Sequence, residues 1–125
     1  MAEVRIWIVD AEHWPRALLR AELIERGFDA TGFETVEDAI RQLRLTGAER
    51  RPALLVLDWR DQTMDERTSE LLVRAGVPVL VVADLAHRDG GPAGPVVEVL
   101  NRPLTIGDVA NAVEQLLAQV SRRGR

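Results

Sequence analysis

The chain has 125 residues, of which 46% are hydrophobic and 29% are charged, and its formal net charge is −4. This length and composition are typical of one folded domain and exclude a disordered tail. The negative charge gives no reason to expect nucleic-acid binding. The lack of cysteine excludes disulfides and thiol chemistry. The lack of lysine excludes a Schiff-base lysine and a phosphate-loop lysine.

The chain ends carry little information about targeting. No apolar run has transmembrane length, and the first residues lack the character of a signal peptide. We therefore expect one domain over residues 1–125 in the cytoplasm, with a basic tail from about residue 121 that serves solubility.

Four arginines on the predicted helices are interpreted as solvated surface residues: Arg16, Arg20, Arg41 and Arg44.

The first third of the chain reads as strand, helix, strand. A run rich in branched residues, about Val4–Asp10, is typical of a buried parallel strand. Pro15 fits the first turn of the helix that follows, because its missing N–H costs nothing there, and Gly27 fits its C-terminal cap. A short second strand is predicted at about Asp29–Phe33.

The middle of the chain repeats this alternation. Thr35 with Asp38 has the pattern of a capping box, which predicts the start of a second helix. A third strand is predicted at Ala53–Asp58. After it, Thr63 with Glu66 predicts the start of a third helix.

The last third contains a break in the pattern. Strands are predicted at Val79–Ala83 and Val96–Leu100, and Thr105 with Asp108 predicts the start of a last helix. The segment Asp84–Pro95 between the strands is rich in glycine and proline, so we expect a loop or a single turn there instead of a regular helix. Alternating strands and helices predict a mostly parallel sheet with helices on both faces.

An aspartate ends two of the predicted strands. Asp10 ends the first strand and Asp58 ends the third. In an open parallel sheet, chemistry takes place just beyond the carboxyl ends of the strands. We therefore expect the two aspartates to share an acidic pocket that could hold a hard cation or accept a group, although no lysine is available as its basic partner.

Three segments carry a family resemblance. Leu57–Asp65 resembles the surroundings of the phospho-accepting aspartate in response-regulator receiver domains, Ile6–Glu12 resembles their acidic-pair strand, and Asn101–Leu104 resembles their Lys-Pro-Phe segment. The resemblance covers about Val4–Leu117. It implies a flavodoxin-like three-layer α/β/α sandwich with a five-stranded parallel sheet in the order 2-1-3-4-5, the fourth helix being short or missing here.

The resemblance also implies roles at the predicted pocket. Receivers accept a phosphoryl group on a carboxylate, with Mg²⁺ held by acidic side chains and a backbone carbonyl. Asp58 is then the phosphoacceptor candidate, Asp10 a metal-site carboxylate, and the carbonyl of Arg60 faces the ion. The acidic pocket comprises Asp10, Glu12 and Asp58. Binding of Mg²⁺ at Asp10 and Asp58 would be weak, and no other cofactor is expected. The candidate basic partners of the pocket are Arg102 and Arg60.

Several functional positions depart from the family pattern. By the resemblance, the second carboxylate of receivers falls on Ala11, their hydroxyl on Ala83 and their lysine on Arg102, and their switch aromatic falls near Val99. A proline and a glycine of the family fall on Gln62 and Glu66. Alanine cannot bind a metal ion, and arginine is not a conservative replacement for lysine. Our hypothesis is that Arg60 or Arg102 pairs permanently with Asp58 or Asp10.

These features predict a degenerate receiver, or pseudo-receiver, that works in two-component phosphorelay signalling through protein–protein interaction and is not an enzyme. Expected partners are a histidine kinase or an output protein, a homodimer is left open, and neither nucleic acid nor a membrane is expected. The alternative is a competent receiver, phosphorylated at Asp58 by a histidine kinase. A remote alternative is an aspartate-nucleophile phosphohydrolase that uses Asp58 and Asp61.

Overall fold

The structure, a computed structural model, describes residues 3–84 and 94–123, with the backbone alone for residues 120–123. Five parallel strands form one sheet in the order β2-β1-β3-β4-β5. The strands are β1 (Arg5–Val9), β2 (Asp29–Phe33), β3 (Leu54–Asp58), β4 (Val79–Ala83) and β5 (Val96–Asn101). The predicted strand order is confirmed, and each predicted strand is present to within one residue at either end.

The described helices are α1 (His13–Glu25), α2 (Val36–Leu45), α3 (Glu66–Ala75) and α4 (Ile106–Arg123), with a 3₁₀ turn at Ala48–Arg50. No helix in these two stretches is long and apolar enough to cross a membrane. The glycine- and proline-rich crossover between β4 and β5 was predicted to lack a regular helix. Residues 85–93 of that crossover lie outside the described residues, and so does this prediction.

Alternate side chains of the central strands enter two separate cores. On β1, Ile6 and Ile8 pack with α1 and α4, whereas Trp7 and Val9 pack with α2 and α3. All four side chains are buried. A parallel strand that is covered on both faces has no solvated side, which explains the almost continuous apolar runs in the sequence. The result is the predicted three-layer sandwich.

Most helix ends follow the predicted capping residues. The Thr35 hydroxyl accepts a hydrogen bond from the Asp38 amide at 3.1 Å. At α4, the Asp108 amide donates to the Thr105 hydroxyl at 3.0 Å, and the Thr105 amide donates to the Asp108 carboxylate at 2.9 Å. Gly27 has a φ of 95° after α1, a left-handed conformation that glycine adopts without strain.

The predicted cap of α3 is wrong. Thr63 was expected to cap this helix with Glu66, but α3 begins at Glu66 and its N-cap is Asp65. The Asp65 carboxylate accepts a hydrogen bond from the Thr68 amide at 2.8 Å. This bond, with a second one from the Thr68 side chain, lowers the pKa of Asp65. An ionised carboxylate is favourable at the positive end of a helix, which explains why the acid takes the cap position.

Candidate functional site

Asp58 lies at the carboxyl end of β3 and is only 6% exposed. Its Oδ1 accepts hydrogen bonds from the Arg60 backbone amide at 3.1 Å and from Arg60 Nε at 3.2 Å. Its Oδ2 accepts from Arg60 Nη2 at 3.2 Å and from Arg102 Nη2. Two guanidinium groups therefore compensate this buried carboxylate, and we call Arg60 and Arg102 the arginine bracket.

Each arginine of the bracket also contacts a second acid. Arg60 Nη1 lies 3.3 Å from Glu12 Oε1, and Arg102 Nη1 lies 3.4 Å from Asp84 Oδ1. Burial would lower the pKa of Arg60, but the hydrogen bonds and the negative charge of Asp58 outweigh it and raise that pKa above its ordinary value. The ionic chain joins the loops that follow β1, β3, β4 and β5 at one edge of the sheet.

Asp10 lies just beyond β1 and is also 6% exposed. Its Oδ1 accepts a hydrogen bond from the Glu12 amide at 2.9 Å, and Arg16 Nη1 donates to the Asp10 backbone carbonyl at 2.7 Å. Within residues 3–84 and 94–123, no arginine bonds its carboxylate. Burial, reinforced by the charge of Asp58, raises the pKa of Asp10 above 3.8, although the bond from Glu12 opposes this. Asp10 is thus less well compensated than Asp58.

Two helix arginines that were interpreted as solvated reach backbone carbonyls: Arg16 is partly buried, whereas Arg20 stays exposed as expected. Arg16 crosses β2 at Gly32, where an added Cβ would lie 3.0 Å from Arg16 Cγ. Arg20 Nε donates a hydrogen bond to the carbonyl of Ala30 at 2.9 Å. Arginine is long enough to lay its methylenes along a neighbouring strand while its charged end finds a carbonyl, which helical spacing alone does not reveal.

Gln62 was predicted only to replace a proline of the family pattern. Its side chain is 9% exposed, its Nε2 donates to the Glu34 carbonyl at 2.9 Å, and its Oε1 accepts from the Val36 amide at 3.1 Å. Gln62 therefore ties the loop after Asp58 to the start of α2. In the sequence, Gln62 stands out only as a polar residue in a loop. Its hydrogen-bond partners become visible only in the folded chain.

The other positions that depart from the receiver pattern are Ala83, Val99 and Ala11. Ala83 is buried in the core below α2 and α3, and Val99 on β5 is 49% exposed. Ala11 follows Asp10 at the end of β1. These positions offer the site neither a hydroxyl, nor an aromatic ring, nor a second carboxylate.

The groups at this edge do not form the ligand set that Mg²⁺ requires. Mg²⁺ needs oxygen ligands in a near-octahedral arrangement, whereas both oxygens of Asp58 are hydrogen-bonded to guanidinium groups. Ala11 contributes no oxygen from its side chain. In the part of the chain that the structure describes, no group of three or more His, Asp or Glu residues is placed to hold a metal ion. Weak Mg²⁺ binding at Asp10 and Asp58 stays a prediction.

Comparison with known proteins identifies the fold. No family model matches the sequence, and no curated protein is significantly similar to it. A response regulator receiver protein from Sinorhizobium medicae superposes with a TM-score of 0.74 at 20% identity, covering 93% of this chain and 95% of that chain. This chain has the receiver-domain fold.

Two further receivers support the same conclusion. A CheY-like receiver domain protein from Methanospirillum hungatei matches with a TM-score of 0.71 at 15% identity, over 98% of this chain and 99% of that chain. The response regulator TrrA from Thermotoga maritima, solved in complex with Mg²⁺ and BeF, matches with a TM-score of 0.69 at 19% identity. That match covers 90% of this chain and 98% of that chain.

The arginine bracket makes a prediction for stability. Arg102→Met should lower the free energy of unfolding by about 2 kcal/mol, because Asp58 stays buried and loses a charged hydrogen-bond partner. The matched control is Arg41→Met, since Arg41 pairs with Asp38 at the surface, and there the change should stay below about 0.5 kcal/mol. Urea denaturation of both variants measures the difference, and equal effects would contradict a bracket that stabilises the fold.

The raised pKa of Asp10 predicts a pH-dependent gain in stability on neutralising this residue. Because the folded-state pKa lies above the unfolded value, Asp10 favours folding most fully below the unfolded pKa, and this contribution is lost as the pH rises through the folded pKa. Asp10→Asn keeps an acceptor for the Glu12 amide and removes the charge. The variant should melt at a higher temperature than the wild type at pH 7, and its advantage should shrink as the pH falls through the raised folded-state pKa and disappear below the unfolded value of 3.8. A constant difference across this range would refute the assignment to Asp10.

Proposed function

We propose that this chain is a pseudo-receiver, a receiver-like module of two-component signalling that acts through protein–protein contacts instead of efficient phosphoryl transfer. The observation that carries the proposal is the arginine bracket, which occupies both oxygens of Asp58. The receiver fold supports the signalling role by analogy, since many functions can share one fold.

Phosphoryl transfer to Asp58 would have to overcome this resting arrangement. The acceptor oxygen needs a free approach to phosphorus, and the charge that develops on the phosphoryl oxygens must be neutralised. Here the attacking oxygens are hydrogen-bonded to arginine, and each charged hydrogen bond contributes about 1.5–3 kcal/mol. Ala11 also lacks the carboxylate that would help to hold a metal ion. Together these features support slow transfer or none.

A competent receiver is the second candidate, and one observation favours it. The side chains of Arg60 and Arg102 are 29% and 26% exposed, so both can turn toward solvent without unfolding the core. Guanidinium groups also bind phosphoryl oxygens well once a phosphoryl group has arrived. Under this alternative the bracket opens and then holds the phosphorylated aspartate.

A partner protein is supported by the surface of α1 beside the site. Trp14 and Leu18 lie one helical turn apart and are 72% and 55% exposed. Large exposed apolar side chains close together are typical of contact surfaces, and tryptophan is enriched among residues that dominate binding energy. We propose a histidine kinase or an output protein as the partner class. We propose no enzymatic activity, since Asp61 is exposed and does not line the cavity beside Asp58.

Phosphorylation tests the proposal directly. The wild-type protein, incubated with acetyl phosphate and Mg²⁺, should show no added phosphoryl group by intact mass. The double variant Ala11→Asp/Arg102→Lys restores two residues of the family pattern and should gain one phosphoryl group, because it supplies a metal-binding carboxylate and removes half of the bracket.

The control is Asp58→Asn in both backgrounds, which should abolish any adduct at the acceptor. A single phosphoryl group on the wild type, absent from its Asp58→Asn variant and formed as fast as on the double variant, would reject the pseudo-receiver and support the competent receiver.

A further inference from the structure

A cavity of about 330 Å³ lies between α1, α4 and the sheet, next to the arginine bracket. Most of its lining is apolar and comes from three different parts of the fold. The apolar lining includes Ile8, Val56 and Val82 on the strands, Leu19 on α1, and Ile106 and Val109 on α4. This volume is at the lower end of the roughly 300–1,000 Å³ of small-molecule sites, so the cavity fits a small ligand.

The charged residues of the cavity lie at the carboxyl edge of the sheet. Three carboxylates line it, those of Asp10, Glu12 and Asp58, against the two guanidinium groups of Arg60 and Arg102. Among the described residues that line the cavity, carboxylates therefore outnumber guanidinium groups by one. Glu12 and Asp58 pair with the bracket, which leaves Asp10 as the carboxylate without an arginine partner among the described residues.

Asp10 combines burial with incomplete hydrogen bonding. More than nine-tenths of the residue is buried, and one of its oxygens accepts the Glu12 amide. No donor in residues 3–84 and 94–123 bonds the other oxygen. Arg16 also contacts Asp10, but it donates to the backbone carbonyl and not to the carboxylate. A buried carboxylate in this state is stabilised by a cationic donor that reaches it from the cavity.

We propose that this cavity binds a small amphipathic monoamine. The ammonium group would donate to the carboxylate of Asp10, and the hydrocarbon body would lie among the apolar side chains between α1 and α4. A single positive charge neutralises the single excess negative charge, whereas an anion would have to displace Asp58 from the bracket.

Isothermal titration with hexylamine, hexanol and ethylamine tests the proposal. Hexylamine carries a charge at neutral pH, as alkylammonium groups do. It should bind one site at least roughly tenfold tighter than hexanol, since a charged hydrogen bond to a buried acid is worth that much. It should also bind at least roughly tenfold tighter than ethylamine, which lacks four methylenes. Shifts of the backbone amides of Glu12, Ile106 and Val109 in NMR spectra should map the site.

Asp10→Asn separates recognition of the charge from filling of the cavity. In this variant, hexylamine affinity should fall to that of hexanol, and hexanol affinity should stay unchanged. Asp29→Asn is the matched control, because it removes one carboxylate at the opposite end of the sheet, where Asp29 pairs with Arg5; it should leave hexylamine binding unchanged. Equal affinities for hexylamine in wild type and Asp10→Asn would overturn the proposal, as would hexanol binding as tightly as hexylamine. Neither outcome depends on whether Asp58 is phosphorylated.

Discussion

A carboxylate at the end of the central strand must be compensated, because β3 is covered on both faces and little water reaches its end. In this protein Arg60 and Arg102 compensate Asp58 from two different loops. The same two side chains hold Glu12 and Asp84, so four strand ends are joined by one ionic chain. The arrangement of the loops at the carboxyl edge follows from this single requirement.

That requirement links the structure to the proposed function. A receiver that works by phosphoryl transfer leaves its acceptor accessible and lets a metal ion supply the positive charge. Here the positive charge belongs to the protein and is present at rest, and the residue after Asp10 is Ala11, which has no carboxylate. The replacements reinforce each other, since a site with its own cations has less need of a metal ligand. The less well compensated acid is then Asp10, which lines a largely apolar cavity.

The fold could be predicted largely from local patterns. Alternation of buried residues such as Ile6 and Trp7 indicates strands covered on both faces, and Thr35 and Thr105 mark helix starts through bonds to residues three positions away. The cap of α3 was missed because Thr63 and Asp65 are both good caps by residue type and two positions apart. Local sequence does not decide between them.

The candidate site could be predicted only in part. Asp10 and Asp58 were identified because they end strands, and the structure brings both arginines of the hypothesis to Asp58. The roles of Arg16 and Gln62 were missed because their partners, such as the carbonyl of Glu34, are distant in sequence or lie on the backbone. Backbone carbonyls leave no mark in an amino-acid sequence, so these contacts need the folded chain.

In the structure, arginine side chains and not a metal ion compensate Asp58. The most direct measurement follows the Nε–H resonance of Arg60 by ¹H–¹⁵N NMR while Mg²⁺ is added to millimolar concentration, with Asp58→Asn to assign the bonded state. If the bracket is in place at rest, this resonance should exchange slowly, shift in Asp58→Asn and not respond to Mg²⁺. A Mg²⁺-dependent loss of that resonance, with saturable shifts of the Asp10 and Trp59 amides, would contradict it.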